Sequence, residues 1–115
     1  MFKIAEKRIV EWPVLISVPQ DGGKVKRHEA RVEFEIIDQG EFDTIYANGG
    51  FDIDLLQRVV VGWKDGQFQD QRGEALAPLE ENKALLFGIP YVRAAFVAAY
   101  LQAMQGREAG RKNLP

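Results

Sequence analysis

The sequence has no cysteine, a single histidine and no long apolar run, and each shortage closes off a class of protein. Without cysteine there is neither a disulfide framework nor thiolate chemistry, which suits a reducing cytoplasm. With His28 the only imidazole and no HExxH or CxxC spacing, a metal site is not expected. No apolar stretch approaches the roughly 20 residues that cross a bilayer as a helix. An excess of one charge is also lacking. Fifteen Lys and Arg against 17 Asp and Glu leave a net charge of −2, with no electrostatic footprint for nucleic acid or an anionic membrane. The N-terminal MFKIAEKRIVEW is charged too early and too often for a secretory signal. The expectation is a soluble cytoplasmic domain with no nucleic-acid or membrane partner.

What is present fits one folded unit. At 115 residues, 46% apolar and 28% charged, the chain is large enough for a single modest core. Val10, Trp12, Val14, Ile16 and Val18 share one parity. Ala30, Val32, Phe34 and Ile36 alternate with Glu29, Arg31, Glu33 and Glu35. A period of two places one face in the core and the charged face in water, so residues of about 7–37 read as a β-hairpin. Between the strands, PQDGGK supplies the glycines of a tight turn. Pro13 lacks an amide donor, which puts the first strand at a sheet edge. Residues 38–50 carry turn signals at both ends and a short apolar middle, open to a loop, a strand or a helical turn.

The second half, about 52–105, reads as helical. Asp52 is placed to cap a helix whose apolar positions Leu55, Leu56, Val59 and Val60 share a face. In QRVVVGWKDG the valines then belong to the buried end of that helix rather than to a strand. Gly62 takes the left-handed position after it, and Trp63 lies on the core. A small hairpin is expected around Asp70 to Gly73. Pro78 suits the first turn of the helix PLEENKALLF, Gly88 stops it, and Pro90 starts PYVRAAFVAAYLQAMQ after a sharp corner. The class expected is α+β: an N-terminal antiparallel hairpin or small sheet followed by about three packed helices. These make one domain over 1–106 with a flexible tail over 107–115.

Little in the chain reads as reaction chemistry. His28 sits beside Glu29 in a strand, and a catalytic role would need a nucleophile or carboxylate converging from elsewhere. Asp38, Glu41, Asp43, Asp52 and Asp54 could be paired carboxylates, but short helices and turns use Asp as caps at this density. Gly22-Gly23 and Gly49-Gly50 lack the context and lysine of a phosphate loop. No cofactor and no enzymatic activity are expected. The last helix carries two apolar stripes, Val92, Phe96, Ala99 and Ala103 on one side and Val97, Leu101 and Met104 on another. Either one stripe meets a partner, a second copy included, or the helix is central and covered on both sides. The residues placed at such an interface are Tyr91, Arg93, Val97, Tyr100, Leu101 and Met104, with Arg93 and Tyr100 of the types that anchor interfaces.

Several short motifs occur in a telling order. DGGK in the hairpin turn is followed by Phe42-Asp43, VVVGW at 59–63, and Asp70 and Gly73 in a turn. Then come Leu76, Pro78-Leu79-Glu80-Glu81-Asn82, Leu85-Leu86, IPYVRAAFVAAYLQAMQG at 89–106, and a closing Arg111-Lys112-Asn113. Over nearly its whole length the chain thereby resembles the tail assembly chaperones of long-tailed bacteriophages and prophages. It departs from them in Ala77, where Ser or Thr is common, and in a less acidic 66–72 segment.

The resemblance implies a non-catalytic protein of the host bacterial cytoplasm, absent from the finished virion. It implies two partners: the long helical tape measure protein, kept soluble and extended, and the tail tube subunits recruited around it. It further implies a longer product made by −1 frameshifting. Arg111-Lys112-Asn113 can be encoded as CGA AAA AAC, which contains the slippery A AAA AAC, so Lys112 and Asn113 would mark the slip site. The alternatives are a tail terminator or head-tail joining protein that stays in the virion, and a small enzyme or ligand-binding domain.

Overall fold

The structure is a computed structural model that describes residues 1–6 and 8–109. Its elements are β1 (Ile9–Pro19), β2 (Val25–Glu35), α1 (Gln39–Ala47), α2 (Asp52–Val59), β3 (Val60–Gly62), α3 (Glu80–Phe87) and α4 (Pro90–Met104). The α+β class is as expected, with a three-stranded antiparallel sheet in the order β1-β2-β3 and four helices rather than about three. The expected tail falls mostly outside the described residues, and with it Lys112 and Asn113.

The hairpin follows from alternation. β1 and β2 pair without a shift from Ile9↔Glu35 to Pro19↔Val25. Gly22 and Gly23 close the turn at φ +83° and +81°, a region that glycine enters without steric cost. A bond from the Ile36 N–H to the Arg8 carbonyl continues the ladder, so even-numbered residues exchange its hydrogen bonds. Pro13, opposite Arg31, sits at a position that donates nothing to β2. That is why proline is tolerated in this edge strand.

One open segment is settled and one expectation is corrected. The undecided segment contains a helix, α1. Its end is capped by Gly49 at φ +78° and by bonds from Gly49 and Gly50 N–H to the Tyr46 and Ile45 carbonyls. The VVVGW stretch is not all helix. α2 ends at Val59, and Val60–Gly62 pair with Phe34 and Glu33 as β3. Gly62 is accordingly not left-handed, and the need for glycine there is one of space: a Cβ would lie 3.2 Å from Pro78 Cβ.

Caps also differ. Phe51 occupies the cap position of α2, its N–H donating 2.8 Å to Asp54 Oδ2, while Asp52 already lies inside the helix. Pro78 precedes α3, whose cap position is Leu79. The small hairpin is present, with Gln69 bridging Ala75. Pro90 does open α4, which meets α3 at 103°.

The core lies between the sheet and α2, α3 and α4. Phe34 of β2 meets the rings of Phe96 and Tyr100 edge-on at 6.5 and 5.4 Å. Phe87 and Phe68 contact Phe96 from other sides, and Trp63 closes on Phe68 at 4.8 Å. Trp63 is buried, as expected, and its Nε1–H donates 2.8 Å to the Leu76 carbonyl. Among the described residues, Lys83 is the buried charged one. Its Nζ donates to the Val60 and Val61 carbonyls, groups at the short strand β3, and reaches Glu80 at 3.7 Å.

Candidate functional site

The last helix forms because alanine and long side chains dominate it, and Pro90 pre-sets its first turn. Gly106 at φ +71° ends it, with Arg107 N–H donating to the Gln102 carbonyl. It packs on β1 and touches α2 and α3, so it is a central helix. Of the first stripe, Val92, Phe96 and Ala99 are buried and Ala103 is half-buried. Of the second, Val97, Leu101 and Met104 are all half-buried, with Val97 and Met104 packed against the core. The two readings of the stripes therefore meet midway: the helix is covered on several sides, and the second stripe keeps part of its surface in water.

The six residues placed at an interface separate in three dimensions. Tyr91, 37% exposed, stands at the start of α4 on the rim of a groove shared with His28. Arg93 ties the corner between α3 and α4, its Nε donating 2.7 Å to the Phe87 carbonyl. Val97, Leu101 and Met104 line the half-covered flank. Tyr100 is corrected from interface to core. It is 0% exposed, its hydroxyl accepting from Ile37 N–H and donating to the Glu35 carbonyl at 3.1 Å each. Burial holds its phenol above the ordinary pKa.

The acidic residues after the hairpin are each held locally. Asp38 pairs with Arg8, and Asp43 accepts from the Gln39 amide at 3.0 Å. Asp52 accepts from Tyr46 at 2.9 Å; desolvation, reinforced by that carboxylate, pushes the Tyr46 phenol up to about 12. Arg58 of α2 forks onto Glu35 at the end of β2 and onto Glu41 of α1, locking three elements together. Its hydrogen bonds hold the Glu35 carboxyl below the usual range. His28 is exposed on β2. Among the described residues no three of His, Asp and Glu are arranged to hold a metal ion.

Two grooves carry apolar linings. One of about 330 Å³ runs between the 69–72 turn and the α3–α4 corner, over Leu76, Leu85, Leu86 and Ile89. The other, of about 310 Å³, lies beside β2 over Ile16, Phe68, Leu86 and Val92. Leu85, 57% exposed, and Phe51, 71% exposed, are large apolar surface groups that the sequence reading did not single out. The signal for Leu85 was there: in the run Leu85-Leu86-Phe87 on one helix, three successive residues cannot all face the core.

Compared with known protein families, with curated proteins and with solved structures, the chain has no match.

Proposed function

We propose that this protein is a phage tail assembly chaperone, acting by binding and without catalysis. The reading is carried by one observation, the order and spacing of the motifs from DGGK through VVVGW to IPYVRAAFVAAYLQAMQG. Its partners are the tape measure protein and the tail tube subunits, and its place of action is the host cytoplasm. The half-covered flank of Val97, Leu101 and Met104 suits a client that must later be released. Modest apolar area with polar surroundings gives an interface that can reopen.

The test is co-expression with the long helical protein encoded downstream. The proposal expects that partner to become soluble and to co-purify with this chain. A partner that stays insoluble and elutes alone contradicts it. Mass spectrometry of purified particles separates the chaperone from a retained tail component: the chaperone is missing from them.

A further inference from the structure

The long strand β2 is only briefly covered on its outer side. β3 meets it at Glu33 and Phe34 and nowhere else. Because even-numbered residues bond to β1, the amides and carbonyls of Val25, Arg27, Glu29 and Arg31 point away from the hairpin. Arg31 shows that direction directly, its N–H donating 2.7 Å to the Gln67 side chain. Among the described residues, the outward groups of Val25, Arg27 and Glu29 have no hydrogen-bond partner. Beside this edge lies the groove of about 310 Å³, floored by Ile16, Phe68, Leu86 and Val92 with Tyr91 on its rim.

Charge tells which strand fits. Lys24, Lys26 and Arg27 are exposed and, among the described residues, none of them is in an ion pair, whereas Glu29 beside them is held by Arg31 at 3.4 Å. A second copy pairing edge to edge would set these cations against themselves, the usual way a sheet edge discourages its own kind. An acidic strand meets no such repulsion. We infer that the outer edge of β2, from Val25 to Glu29, receives an extended acidic segment of a partner protein. The segment adds to the sheet as a strand and lays alternate apolar side chains into the groove.

This site stands apart from the chaperone reading, and the failure of either leaves the other untouched. The probe is a displayed library of random nine-residue peptides panned on the full chain, followed by fluorescence anisotropy of the enriched peptides. Enriched peptides alternate apolar residues with Asp or Glu. Glu29→Pro removes an outward amide while leaving the ladder to β1 intact, as Pro13 does in β1, and weakens binding at least roughly tenfold. Lys26→Glu with Arg27→Glu does the same through charge, and serves if the proline variant fails to fold. Hydrogen exchange shows Arg27 and Glu29 amides protected when peptide is added. The inference is overturned by no enrichment, by enriched peptides without acidic alternation, or by affinity unchanged in the variants. Protection of the same amides that grows with protein concentration alone also overturns it, since that marks a second copy on the edge.

Discussion

Two tryptophans illustrate how little composition says about a single residue. Both lie against the core, yet Trp63 Nε1–H reaches a carbonyl while Trp12 Nε1–H is buried without a partner among the described residues. Replacing Trp63 by Phe leaves the Leu76 carbonyl unsatisfied, whereas replacing Trp12 by Phe removes a donor that had nothing to bond. Trp63→Phe should therefore cost about 1–3 kcal/mol more than Trp12→Phe in urea unfolding. Trp63→Ala should cost about 3–5 kcal/mol. If it leaves stability unchanged, the ring is not the core element described.

Tyrosines give the molecule a pH dependence on the alkaline side. Tyr46 and Tyr100 both have folded pKa values above the ordinary value of about 10. A raised pKa means the neutral form is favoured by folding. The stability involved is complete below about pH 10 and is lost as pH rises through the folded values, about 12 for Tyr46. Tyr46→Phe should flatten the loss of stability between these limits, measured by circular dichroism at a series of pH values. A profile identical to the parent's would mean that the phenol of Tyr46 titrates as it does in water. Glu35 works in the opposite sense. Its carboxyl is held low by Arg58, so its contribution is present above the usual carboxylate pKa and fades as pH falls through the depressed value.

At the scale of elements, α1 offers two glycine substitutions of opposite sign. Gly50 follows the helix as the last member of its cap, and a Cβ there would stand 2.2 Å from the Ile45 carbonyl oxygen. Gly50→Ala should cost about 1–3 kcal/mol by breaking that cap. Gly40 lies in the first turn with open space around it, so Gly40→Ala should stabilise by about 0.5–1 kcal/mol. Thermal unfolding of the two variants checks both signs.

The same elements show what the sequence could tell. The hairpin was legible because alternation, the DGG turn and Pro13 all agree. α1 was not, since it buries none of its residues: Phe42, Ile45 and Tyr46 stand at the i, i+3, i+4 spacing of a helix, but three half-buried residues between turn signals are about one turn of pattern, too short to tell from a loop. β3 was hidden for another reason. Val59 and Val60 suit a helix face or a strand equally, and pairing with Glu33 and Phe34, distant in sequence, decides between them. Lys83 is the same lesson reversed: nothing local marks this lysine for burial, which follows from two carbonyls at β3 that accept from its ammonium.

For the molecule as a whole, the candidate site was legible only in part. The sequence picked out α4, and its flank of Val97, Leu101 and Met104 is only half covered. Tyr100 was misplaced because an aromatic with a polar tip fits an interface and a core equally well. Only the return of Glu35 and Ile37 beside it settles the matter. The edge of β2 was invisible in sequence, because nothing local says that β3 stops after three residues. The most direct measurement is co-purification of the tape measure protein with this chain, compared between the parent and Leu101→Asp. Leu101 is half-buried on the open flank and belongs to none of the aromatic contacts, so the variant should stay folded by circular dichroism. The account predicts that the parent retains the tape measure protein and that Leu101→Asp loses most of it while remaining folded. A parent chain that retains none of it would contradict the account.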